Sequence, residues 1–152
     1  MTEAELRPVI ETAFADTPSP GNDFDDISAT QWDEGIVDYF RGTSWRGHGV
    51  RDLRCQSAAL SFFTDKAFRY WLPAFMLAHL EDAEQADIIA ESIAGHLLPS
   101  EYGRPDQRLA QFTRQELEAV AAFMDHCSRT LNVIPGHNAF ERAATAIRAR
   151  LQ

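Results

Sequence analysis

The chain has 152 residues, enough for one domain with one substantial core. Hydrophobic residues make up 45% and aromatic residues 11%, which excludes disorder as a description of the whole. Fourteen bases against 23 acids leave a net charge of −9, which makes nucleic acid a poor default partner, since duplex binding wants a basic face.

The chain opens on Met1-Thr-Glu-Ala-Glu5, acidic where a signal peptide is basic, and its longest uncharged runs are eleven residues. A membrane span needs about 20 apolar residues, so a cytoplasmic protein without membrane contact is expected. Thr2 and Glu5 form a capping-box pattern ahead of a stripe of Leu6, Ile10, Ala13 and Phe14. Pro8 interrupts it, so the helix should begin near Arg7 or bend. Residues 15–29 are rich in Pro, Gly, Asn and Asp and read as a loop. Thr30 should cap a helix bearing Trp32, Ile36, Tyr39 and Phe40 and ending at Gly42. A Gly-rich connection carries Trp45 and Arg46 to a helix expected at roughly 49–62. Thr64 caps a segment that is apolar nearly all round, from Phe68 to Leu80, which should be the buried centre, bent or restarted at Pro73. A helix of about 84–97 and a loop over 99–111 follow. Thr113 and Glu116 make a second capping box, with Phe112 and Leu117 as its hydrophobic staple. Asn138 and Glu141 cap the last helix. No convincing strand alternation appears. The prediction is all-α, a single-domain orthogonal or irregular bundle of six to seven helices over 1–152.

The charge is uneven. Residues 1–40 hold ten acids and one base, Arg7, and so carry the entire net charge. Asp23, Asp25 and Asp26 fall in the Pro/Gly loop, with Asp33 and Glu34 beyond it. These five are the candidate partner-binding residues, for a protein partner with a basic surface. The three loop acids could also attract a divalent cation, but their spacing fits no known loop, and a solvated or helix-capping role is the simpler reading. No metal and no cofactor is expected. The zinc-protease, di-iron, P-loop, nucleophile-elbow and EF-hand patterns are all absent. Gly47-His-Gly49 lacks the third glycine of a dinucleotide fingerprint, since Asp52 stands there. His126 beside Cys127 suggests a nucleophile pair, yet successive helical residues diverge. Cys55 and Cys127 read as reduced thiols, with a disulfide or redox pair as the alternative. Catalysis is therefore not the favoured reading, and no catalytic residue is named.

The second candidate site is a pocket formed by Trp45, Arg46, Arg54, Arg69, Tyr70 and His79. An arginine in the most apolar helix needs a carboxylate. A structural ion pair with the acidic N-terminal segment is the simpler reading, and an anion-binding enzyme or sensor pocket is the alternative. His79 reads most simply as a core histidine with one hydrogen bond.

Trp45-Arg46, Leu53-Arg54, Leu60-Ser-Phe-Phe-Thr64 and the run Phe68-Arg-Tyr-Trp-Leu-Pro-Ala-Phe75, with Phe112-Thr113 later, resemble an uncharacterised bacterial family, a domain of unknown function. The resemblance spans roughly 5–130, with the Phe68 run its most specific part. It implies a stand-alone bacterial cytoplasmic domain and transfers no catalytic residue. Two functions follow as expectations: a small acidic binding module, such as an immunity protein neutralising a basic toxin, or a small-molecule pocket protein. Neither reading fixes an oligomeric state.

Overall fold

The computed structural model describes residues 1–31, 35–99, 105–131 and 138–152. Among these residues the fold is all-α, and the sole extended feature is an isolated antiparallel bridge between Ser28 and Phe63. Eleven helices occur among them rather than six or seven, because several expected helices are divided and one-turn helices sit within the loops.

Helix α1 (Glu3–Ala13) starts at the Thr2 capping box and buries Leu6 and Ile10. It runs through Pro8 instead of starting at Arg7. Pro8 and Ala4 are both exposed, so the Ala4 carbonyl that loses its helical donor faces water. The one-turn α2 (Phe24–Ile27) interrupts the acidic loop. α3 (Ile36–Phe40) begins behind Gly35, which takes the left-handed φ of 85°; at the expected start Thr30 and Gln31 are not helical, and Trp32 lies outside the described residues. The predicted 49–62 helix divides into α4 (Val50–Cys55) and α5 (Ala59–Phe62), where the N–H groups of residues 59–61 bond three residues back instead of four.

The centre is α6 (Asp65–Glu81), capped by Thr64, with eleven buried residues and Pro73 inside it without a restart. Phe40, Phe63 and Trp71 form an aromatic cluster with centroid separations of 5.0–5.5 Å. The predicted 84–97 helix divides into α7 (Ala83–Ala86) and α8 (Ile89–Leu97) at Asp87, whose φ is +54°. α9 (Pro105–Leu109) lies in the expected 99–111 loop. α10 (Arg114–Thr130) has the Thr113–Glu116 capping box, and both staple residues, Phe112 and Leu117, are buried. α11 (Ala139–Leu151) is capped by Asn138 and packs chiefly along α10. α1 lies against α6 and α10.

Candidate functional site

The acidic loop is built to a fixed shape. Gly21 takes a φ of 110°, and the Asp26 carboxylate occupies the space a Cβ there would need. Asp26 also accepts the Asp23 N–H at 3.1 Å, so it shapes the loop. Behind it, Thr64 Oγ1 donates to the Asp26 carbonyl at 2.7 Å. Ala29 N–H donates to Phe62, and Thr64 N–H to Ile27, at 2.8 and 2.9 Å. Arg41 Nε donates to the Asn22 carbonyl at 2.8 Å. On this scaffold Asp23 and Asp25 are exposed and Asp26 is half-buried. Asp33 and Glu34 lie outside the described residues.

Six ion pairs occur among the described residues. Their acids are Asp65, Asp87, Asp106, Glu116, Glu118 and Asp125. No described acid from residues 1–40 takes part. The expected pairing of Arg46, Arg54 or Arg69 with the N-terminal segment is thus corrected. Arg54 meets Asp87 at 3.1 Å, and the Arg46 guanidinium lies 4.0 Å from the Trp45 ring centroid. Arg69 is held by Glu116.

Glu116 is a buried hub, with its side chain 1% exposed. Arg69 Nε donates to its two oxygens at 2.9 and 3.2 Å, and Thr113 N–H at 2.7 Å. Thr17 Oγ1 also donates to it. One carboxylate therefore joins the segment after α1, the first turns of α6 and the start of α10. The sequence marks Glu116 as a capping residue, and nothing in the spacing reveals its second role. The N-terminal segment does reach Arg69's partner, through the Thr17 hydroxyl and not through an acid.

Of the six residues expected to share a pocket, three line two separate pockets among the described residues. Trp45 and Arg46 line a cleft of about 310 Å³ with Arg7, Glu11, Ala74 and Glu81, between α1, the 43–49 turn and α6. This turn is rigidly held. Trp45 Nε1 donates to the Phe14 carbonyl at 3.2 Å. His48 Nε2 lies 2.7 Å from the Ser44 carbonyl and must carry a proton there, so in the neutral ring Nδ1 accepts from the Tyr39 hydroxyl at 2.9 Å. Arg69 lines a different pocket of about 180 Å³ with Pro18, Ser19, Pro20, Lys66 and Gln111. Arg54 and Tyr70 line neither, and Tyr70 stands edge-on to Trp71 at 5.1 Å. His79 is 2% exposed and edge-on to Phe123 at 5.7 Å. It is a core residue as expected, but its Nδ1 has no partner where a hydrogen bond was expected. Burial lowers its pKa, and His126 lowers it further. The cause of the dispersal is that residues 46, 54 and 69 sit on three elements facing different neighbours.

Cys55 and Cys127 are both free thiols, the first exposed and the second buried. Burial pushes the Cys127 thiol well up, and Glu91 adds to it, which removes nucleophile character from the His126-Cys127 pair. Among the described residues no group of three or more His, Cys, Asp or Glu is placed to hold a metal ion, and no helix is long and apolar enough to cross a membrane.

Residues 2–132 match a family of unknown function, DUF6714, and the chain belongs to that family. No curated protein and no solved structure matches the chain.

Proposed function

We propose, from membership of a family without an assigned activity, that this chain is a protein-binding module that presents its acidic N-terminal loop to a partner with a basic surface. A toxin-neutralising immunity protein of a bacterial cytoplasm is the form of this reading that best uses the charge. The observation that carries it is the ion-pair inventory: no described acid of residues 1–40 is paired within the chain. Unpaired exposed carboxylates on a fixed loop keep their field for an approaching cation, which raises the encounter rate. Backbone ties at Asp26, Ile27 and Ala29 hold the loop before contact, so little ordering remains to be done on binding.

The test is stopped-flow association with a purified candidate toxin of basic surface, using the Asp23→Asn/Asp25→Asn double variant. Asp26 stays, because it shapes the loop. The expected result is a slower kon, with the difference shrinking as salt shortens the field to about 8 Å at physiological ionic strength. Thermal stability should change little, since exposed acids contribute little to folding. An unchanged kon in the double variant overturns the proposal, as does a large fall in melting temperature.

A further inference from the structure

The Arg69 pocket is a second candidate site, remote in chemistry from an acidic docking loop. Arg69 uses only its Nε on Glu116. Its Nη1 and Nη2 groups donate to no described residue. The one buried, unpartnered side-chain nitrogen or oxygen among the described residues is His79 Nδ1, so both Nη groups reach solvent-accessible space. Arg69 also lines a pocket of about 180 Å³. Lys66 stands three residues earlier on α6, on the same helical face, and forms no ion pair among the described residues. Gln111 adds an amide to the wall and Ser19 a hydroxyl.

We propose that this pocket binds one compact oxyanion, inorganic phosphate or the terminal phosphate of a small metabolite. A guanidinium whose Nε is clamped by a buried carboxylate has its fork fixed before any ligand arrives, so its Nη pair can grip two anion oxygens with little loss of freedom. Glu116 cancels part of Arg69's charge, and Lys66 supplies the second cation that a dianion needs. Acids next door limit the ligand's size. Asp25, Asp26 and Asp65 line an adjoining cleft that shares Lys66 and Gln111. Of these, Asp65 is paired with Arg108 at 3.2 Å, and Asp25 and Asp26 are not in ion pairs. A long polyanion leaving the pocket would run onto them, so a single phosphate is favoured over a chain of phosphates.

The test is calorimetric titration of the full chain with inorganic phosphate, with sodium chloride at matched ionic strength as the control. Phosphate should bind saturably, and tripolyphosphate should bind no tighter. Lys66 is exposed, so Lys66→Glu should fold normally, and it should weaken phosphate binding at least about tenfold. Glycerol 3-phosphate is the second arm. Binding equal to that of phosphate identifies a terminal phosphoryl group as the ligand, and binding of phosphate alone identifies the free ion. Heat that chloride reproduces, or a Lys66→Glu variant that folds and binds phosphate as the wild type does, overturns the proposal, and tighter binding of tripolyphosphate overturns its size limit. A folded Gln111→Ala variant gives an independent reading, with weaker binding expected and unchanged binding counting against the pocket.

Discussion

Removing Arg69 should be far more damaging than removing any exposed arginine. In Arg69→Ala the Glu116 carboxylate, 1% exposed, loses its one cationic partner among the described residues and keeps two neutral donors, Thr113 N–H and Thr17 Oγ1. Breaking a buried pair on one side costs about 3–5 kcal/mol. The Arg69 side chain is 18% exposed, so water can follow into the space it leaves, and the loss should fall near the low end, about 3 kcal/mol. For a chain of this size that is a fall in Tm of roughly 6–12 °C. Arg54→Ala is the internal control. Its pair with Asp87 is 38% and 60% exposed, so its loss should stay below about 1 kcal/mol. Glu116→Gln supplies the second arm of a double-mutant cycle, because glutamine still accepts from Thr113 and carries no charge. In that background Arg69→Ala should cost only about 1 kcal/mol, the scale of a neutral hydrogen bond. Thermal and urea melts of the four proteins decide the matter. If Arg69→Ala melts within about 2 °C of wild type, or costs the same in both backgrounds, the carboxylate hub does not act as described.

Three further outcomes follow from individual positions. Asp87 holds a φ of +54°, which costs a residue with a Cβ about 1–3 kcal/mol, so Asp87→Gly should be more stable than Asp87→Ala by about 1–2 kcal/mol although both lose the Arg54 pair; equal urea midpoints would refute the strain. Thr113→Ala removes the hydroxyl that accepts the Glu116 N–H at 3.1 Å and should cost about 1 kcal/mol by the same melts. Burial, helped by Arg108, holds His96 down to about 4 against its ordinary 6.5. The unfolded chain therefore takes up that proton first, and stability present above pH 6.5 is lost as pH falls toward 4. NMR titration should show the His96 ring signals unmoved until near pH 4, and movement around 6.5 would contradict its burial.

Capping chemistry was the most readable layer of the sequence. Thr2, Thr64, Thr113 and Asn138 all start helices where their patterns place them, because a cap depends on residues three apart in the chain. The uniform apolarity of 68–80 likewise identified the central helix. Interruptions were harder to read. Asp87 divides one helix through left-handed backbone and its tie to Arg54, and the 56–58 turn divides another through hydrogen bonds three residues back, neither of which hydrophobic spacing encodes. At the site, the need of Arg69 for a carboxylate followed from its apolar neighbours. The identity of that carboxylate did not, because Glu116 lies 47 positions away and already had a complete local explanation as a capping residue. Nor could the dispersal of Arg46, Arg54 and Arg69 be read from sequence, since neighbouring motifs on different helices reveal nothing of the angles between them.

The family match ends at 132, yet the broadest helix–helix contact in the fold is between α10 and α11, and α11 starts at Ala139. Phe140 and Ile147 are 3% and 0% exposed, and burying two such side chains contributes about 3–6 kcal/mol, a large part of a small domain's whole margin. The matched portion of the chain therefore takes its closing wall from residues beyond the match. A fragment cut at 132 would turn the α10 face from interior into adhesive surface, and its self-association would report on that missing wall rather than on any natural partner.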